Sequence, residues 1–168
     1  MKKINIKIVL AQCVSLIFLI NGIKRLILSS QAEKYKCLID YFQNNESNCW
    51  KQFQSQYKTM ANFIVFDAYF ALYGFIIGII LIGVINWQNK KSPIYITSVL
   101  FIVLIPFATG ILKKGIINNT FNTFGGLFSN DFGVKNLIGG IFFTLIGLLI
   151  SWKSAKWNTS TTHNSGLD

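Results

Sequence analysis

The chain has 168 residues, of which 52% are hydrophobic and only 13% are charged, with a net charge of +10. Soluble domains are usually about 45–50% apolar, with about a quarter of their residues charged, so this composition excludes an ordinary soluble domain and favours a membrane protein. The basic residues flank the apolar runs, where they would face anionic lipid headgroups. We therefore expect the lipid bilayer, and no nucleic acid, as the partner of these charges.

Four apolar runs follow one another along the chain, and a run of about 20 such residues is long enough to cross a bilayer. The predicted helices cover residues of about 8–28, 60–87, 94–112 and 135–152. The predicted fold is an all-α, integral membrane four-helix bundle built from two hairpins, occupying residues 1–152. Loops 29–59 and 113–134 lie on the outer side, and residues 153–168 form a polar tail with the composition of a disordered segment.

The orientation of these helices rests on the start of the chain. The basic head MKKINIK precedes the first run, and no small-x-small cleavage site follows it, so we expect an uncleaved anchor rather than a signal peptide. Lys and Arg residues outside the helices divide evenly between the two sides. Because the first helix usually dominates orientation, we expect both termini in the cytoplasm and a multi-pass protein of the bacterial cytoplasmic membrane.

The first outer loop carries apolar side chains at helical spacing, which predicts two short amphipathic helices lying on the membrane or on the bundle. The two stripes are Tyr35, Leu38, Ile39 and Phe42, and then Trp50, Phe53 and Tyr57. In the second loop Phe121, Phe124, Phe128 and Phe132 recur at roughly helical spacing. We expect this second loop to dip into the membrane interface.

One carboxylate, Asp67, lies inside the second apolar run, about 10 Å below its outer end at 1.5 Å per residue. An acidic residue at this depth is costly unless a cation meets it. The predicted topology brings several polar residues to the same level, namely Asn21, Lys24, Arg25, Lys113 and Lys114. A salt bridge from Lys24 or Arg25 to Asp67 is therefore one hypothesis. Two interpretations stay open: the cations reach lipid headgroups and Asp67 only pins helix packing, or these residues form an outward-facing polar pocket for an anion, a lipid headgroup or a proton.

Small residues form narrow stripes on two of the predicted helices. Below Asp67 the stripe is Ala71, Gly74 and Gly78, and on the fourth helix it is Asn136, Gly140, Thr144, Gly147 and Ser151. Small side chains let helix backbones approach closely in lipid, which has no hydrophobic drive for helix association. We therefore expect both stripes to face the interior of the bundle.

The first loop also carries two cysteines, Cys37 and Cys49, while Cys13 lies in the first helix. A disulfide between the loop cysteines would fit an oxidising outer side. Membrane disulfide-forming quinone reductases also have four helices and outer-loop cysteines, but they need a Cys-x-x-Cys pair that this chain lacks. A structural disulfide is therefore favoured over a redox-active one.

The sequence contains few residues for catalysis. Its one histidine, His163, lies in the polar tail, so a His-based metal site is not expected. We see no glycine-rich phosphate loop and no nucleophile with a nearby base, and we expect neither a metal nor another cofactor. Enzymatic chemistry of the kind found in soluble hydrolases or transferases is therefore not expected.

The end of the first helix, Leu19-Ile20-Asn21-Gly22-Ile23-Lys24-Arg25-Leu26, resembles the Leu-x-x-Gly-x-x-Lys-Leu ending of the first helix in DoxX-like membrane proteins, with Arg25 in the place of the lysine. That family also resembles this chain in its four helices, its first loop of similar length and an acidic residue in the second helix, where Asp67 lies. The resemblance implies an accessory subunit of a membrane oxidoreductase complex.

Three functions are consistent with these observations. The first is a non-catalytic accessory or interaction subunit that binds a membrane protein partner or a second copy of itself. The second is a small transporter or channel-like protein that uses the polar pocket around Asp67. The third is a membrane thiol-redox protein that uses Cys37 and Cys49.

Overall fold

A computed structural model describes residues 5–44, 49, 51, 60–92, 94–108 and 116–157. Within these residues the chain is all-helical and contains no strand. The helices are α1 (Ile6–Ser30), α2 (Ala32–Asn44), α3 (Met60–Gln88), α4 (Ile94–Ala108), α5 (Ile116–Gly126) and α6 (Phe132–Lys156). The prediction of an all-α protein is confirmed.

Three helices are long and apolar enough to cross a membrane: α1, the Ala68–Gln88 part of α3, and α6. They indicate a membrane protein. The fourth apolar helix, α4, has 15 residues in its described part and would extend about 22 Å, short of a hydrocarbon core of about 30 Å. Residues 109–115, which include the predicted end of this helix at 112, lie outside the described residues, so the fourth span stays a prediction.

The central helix is α1, which packs against both α3 and α6. In α1, 61% of the apolar span is buried inside the protein, compared with 33% in α3 and 28% in α6. The outer faces of α3, α4 and α6 present large apolar side chains, as expected where lipid takes the place of water. The core therefore lies between α1 and the helices that pack around it.

Two interhelical hydrogen bonds show how the long helices run relative to one another. Gln12 near the start of α1 contacts Asn86 near the end of α3, and Ser29 near the end of α1 contacts Gly133 at the start of α6. Both α3 and α6 therefore run antiparallel to α1. The start of α1 and the ends of α3 and α6 lie at one end of the structure, and we call this the N-terminal end.

The turn between α3 and α4 ends α3 in a Schellman motif. Lys90 has a positive φ of 54°, its N–H donates to Trp87 O, and Lys91 N–H donates to Asn86 O over 2.9 Å. This arrangement satisfies carbonyls that the helix end leaves without intrahelical partners. The Lys91 Nζ atom also donates to Trp157 O at 2.6 Å, which joins the turn to the end of α6.

The last helix is longer than the predicted 135–152 at both ends. It begins after Asp131, whose Oδ1 accepts a hydrogen bond from Val134 N at 2.8 Å, and this capping contact starts the helix. It ends at Lys156, because the next residue, Trp157, takes an extended conformation with ψ of 124° while its N–H donates to Ser154 O. The first four residues of the predicted tail are therefore helical, and residues 158–168 lie outside the described residues.

The segment after α1 and the segment before α6 each contain a helix that packs on the bundle. In α2, Tyr35 stacks on Phe132 at the start of α6, with ring centroids 5.7 Å apart. In α5, the Phe121 ring lies 4.4 Å from that of Phe143. The helix predicted at the first stripe of the first loop is confirmed, whereas the second stripe, Trp50, Phe53 and Tyr57, lies outside the described residues.

Candidate functional site

The contact between α1 and α6 depends on small residues that bring the two backbones close together. A Cβ atom on Gly22 would lie 2.6 Å from Thr144 N, and one on Gly140 would lie 2.9 Å from Leu26 N. A Cβ on Gly147 would lie 3.0 Å from Ser15 O. Glycine is required at these positions because any side chain would push the two helices apart.

A second close approach joins α1 to α3. A Cβ on Gly74 would lie 2.7 Å from Ile20 O, and one on Gly78 would lie 2.8 Å from the Leu16 side chain. Ala71, the third member of this stripe, is buried. The structure thus places both small-residue stripes against α1, the most buried of the membrane-spanning helices.

Two serines of α1 use the close approach to α6 to reach its backbone. Ser15 Oγ donates to Gly147 O over 2.7 Å, and Ser29 Oγ donates to Gly133 O over 3.0 Å. A carbonyl at a glycine is accessible from the side because no Cβ shields it. These bonds supply specific polar contacts in a setting without water.

A reciprocal amide pair joins α1 to α3. Gln12 Nε2 donates to Asn86 Oδ1 over 2.6 Å, and Asn86 Nδ2 donates to Gln12 Oε1 over 3.1 Å. Both side chains are fully buried. Because an unbonded amide is costly in a hydrocarbon environment, this pair favours one register of α3 on α1.

A buried guanidinium lies near the other end of α1. Arg25 is only 6% exposed, and its Nη1 donates to Asn136 Oδ1 in α6 over 3.0 Å. The Asn136 Nδ2 atom donates in turn to Phe132 O over 2.9 Å, which orients the amide oxygen toward Arg25. The Arg25 Cζ atom also lies 5.9 Å from the centroid of the Phe143 ring, close to the distance limit of a cation–π contact.

The stem of this arginine runs along a glycine of α6. A Cβ on Gly139 would lie at an ordinary contact distance of 3.4 Å from Arg25 Cδ. The sequence identified Arg25 as a candidate site residue and Asn136 as a stripe member. It did not indicate that they would bond to each other.

The remaining residues of the predicted pocket have different positions. Asn21 Nδ2 donates to Ile17 O of its own helix over 2.9 Å. Lys24 is half-buried on α1. The Asp67 side chain, Lys113 and Lys114 lie outside the part of the chain that the structure describes, so the ion pair and the pocket stay predictions.

The sequence did not predict Gln12, Ser15 or Asn86 as site residues. Each of them is a polar residue inside an apolar run, and this is the signal that could have identified them. Gln12 and Asn86 lie near ends of α1 and α3 that meet in an antiparallel pair. We use the name polar seam for the buried interhelical contacts of α1: Gln12–Asn86, Ser15–Gly147 and Arg25–Asn136.

The first loop contains a disulfide between Cys37 and Cys49, with Cα atoms 5.8 Å apart. The predicted disulfide is confirmed. Cys13 is a free, buried cysteine in α1. Among the described residues no group of three His, Cys, Asp or Glu side chains could hold a metal ion.

The polar seam joins helices and, in the described residues, pairs donors on one helix with acceptors on another. Its amides and hydroxyls are neutral groups suited to hydrogen bonding rather than to proton transfer near neutral pH. Comparison of the chain with protein-family models, curated proteins and solved structures finds no match.

Proposed function

We propose that this chain is a non-catalytic membrane subunit that engages a membrane protein partner or a second copy of itself. The observation that supports the proposal is that buried polar groups bond to neighbouring helices. In the polar seam, side chains that could otherwise face a substrate bond to neighbouring helices. A bundle held in this way suits a scaffold that presents its outer faces to other molecules.

The proposal also covers the location of the protein and its orientation in the membrane. We place the protein in the cytoplasmic membrane of a bacterium, with both termini inside. The likeness of residues 19–26 to the DoxX-like helix ending supports an accessory role in a membrane complex.

Photo-crosslinking from exposed apolar positions tests the proposal. A photoreactive phenylalanine derivative would replace Ile80 on α3, Ile105 on α4 or Leu145 on α6, which are 58%, 59% and 55% exposed. The three faces serve as controls for one another. We expect one face to give a protein adduct of discrete mass in intact membranes and the others to give lipid adducts. Lipid adducts alone from all three faces would contradict a subunit role.

A second candidate, a small transporter, is favoured by the burial of Arg25. Ionisable residues inside membrane helices often mark ion or substrate pathways. The purified protein would be reconstituted in vesicles containing an anion-sensitive dye, with Arg25→Gln and Asn136→Leu as paired variants. If the subunit role is correct, wild-type vesicles will match protein-free vesicles, and both variants will lower only the thermal stability. A flux that Arg25→Gln abolishes and Asn136→Leu preserves would favour the transporter.

A further inference from the structure

A groove of about 450 Å³ opens between α1 and α4 at the N-terminal end. Its walls include Ile6, Val9 and Leu10 from α1 and Ser98, Phe101 and Ile102 from α4. The volume is in the range of roughly 300–1,000 Å³ that is usual for small-molecule sites. The groove is almost purely apolar, and the Ser98 hydroxyl donates to Ile94 O of its own helix. A hydrocarbon ligand suits such walls.

The depth of the groove matches one leaflet of a bilayer. The lining residues of α4 extend from Ile94 to Ile102, which corresponds to about 12 Å of helix. One leaflet of a hydrocarbon core of about 30 Å is about 15 Å thick. The groove therefore begins at the end of the helices and stops within the same leaflet.

The dimensions of the groove suit a hydrocarbon chain. Its space of about 450 Å³ lies between two helices along about 12 Å of α4, and an extended hydrocarbon chain is thin enough to enter it.

Cationic side chains lie at the end of the bundle where the groove opens. Lys7 is exposed on α1 and lies one turn before the lining residue Leu10, so the two side chains share a face of the helix. Lys90 is exposed in the turn that leads into α4. Apolar walls that open at a cationic end of the bundle are complementary to an anionic amphiphile.

We infer that this groove binds one anionic phospholipid, with an acyl chain between α1 and α4 and the headgroup phosphate at Lys7 and Lys90. This site lies at the opposite end of α1 from the predicted pocket around Arg25 and is separate from the proposed subunit role. Lipids elsewhere on the protein surface exchange with the bilayer. The lipid in the groove contacts two helices and two cations, so it dissociates more slowly.

Native mass spectrometry of the full chain in detergent tests the inference by titrating phosphatidylglycerol and phosphatidylcholine with identical acyl chains. We expect one retained phosphatidylglycerol per protein and weaker binding of phosphatidylcholine. Lys7→Gln and Lys90→Gln should each weaken phosphatidylglycerol binding about fivefold, the effect of about 1 kcal/mol per cation. Each change should weaken the binding of phosphatidylcholine less, because the choline cation offsets the charge of the phosphate in that lipid.

Two variants fill the groove from opposite walls. Ser98→Trp acts from α4, and Leu10→Trp acts from α1 at a position that is 55% exposed and therefore tolerant of a larger side chain. Either should abolish lipid retention, while Leu149→Trp on the exposed face of α6 should leave it unchanged. Equal retention of the two lipids, or equal loss in Leu149→Trp and in a folded groove variant, would overturn the inference. Elution as a single symmetric species in detergent establishes that each variant is folded.

Discussion

Replacing Gly74 with alanine adds one methyl group at the contact between α3 and α1. The new Cβ atom would lie 2.7 Å from Ile20 O, 3.2 Å from Ile20 Cα and 3.3 Å from Ile20 C. All three neighbours are backbone atoms, which cannot rotate away as the end of a side chain can. Ordinary contact begins near 3.4 Å, so the two helices must separate by about 0.7 Å at this point.

The size of the effect follows from two opposing contributions. Forcing an extra methyl group into a packed interface costs about 1–3 kcal/mol, and alanine has a higher helix propensity than glycine by about 1 kcal/mol. Gly83→Ala in the same helix isolates the first contribution, because a Cβ there would meet only Ile96 Cδ1 at 3.6 Å. Both variants share the gain in propensity. Gly74→Ala should therefore be less stable than Gly83→Ala by about 1–3 kcal/mol.

Thermal unfolding of both variants in one mild detergent measures this difference. A change of 1 kcal/mol shifts the Tm of a protein of this size by about 2–4 °C. The Tm of Gly74→Ala should be roughly 2–12 °C below that of Gly83→Ala. If Gly74→Ala unfolds at the same temperature as Gly83→Ala or above it, the close approach of α1 and α3 at this residue is refuted.

Two further predictions concern the amide pair and the cysteines. Gln12→Leu should lower the free energy of unfolding by roughly 1–2 kcal/mol because Asn86 would lose its partner. Gln12→Leu/Asn86→Leu should recover part of that loss, and a double-mutant cycle with no coupling would contradict the pair. Under denaturing conditions, alkylation without reductant should label Cys13 alone, and alkylation after reduction should add two labels, at Cys37 and Cys49. Mass spectrometry counts the labels, and three labels in both samples would exclude the disulfide. Reduction should also lower the stability by about 3 kcal/mol.

The apolar membrane-spanning segments and the all-helical fold were predictable because they depend on local properties of the sequence. The length and hydropathy of residues 6–30 and 132–156 are read directly from consecutive residues. The predicted positions of the helix ends were less accurate, because a capping residue such as Asp131 acts through a single side chain within a polar segment. The apolar stripe of the first loop also predicted α2, whose Tyr35 packs on α6.

The partners of the buried polar groups could not be read from the sequence. The bond from Arg25 to Asn136, 111 residues away, was not indicated by the sequence. The choice depends on how far each helix is rotated about its axis and on which helices are neighbours. Several faces of α3 and α6 are similarly apolar, so hydropathy does not distinguish among their rotations.

The sequence by itself determined that the chain is helical and that it carries apolar runs long enough to cross a membrane, because both properties follow from consecutive residues. It predicted four such spans, and the described part of the structure contains three. Only the tertiary structure decided that α1 lies at the centre and that Gln12 pairs with Asn86 across 74 residues. The physical reason is that lipid, and not water, surrounds the helices. Lipid contacts all apolar faces about equally, so the arrangement is selected by close backbone approaches at glycines and by interhelical hydrogen bonds. Those contacts exist only after the helices have packed.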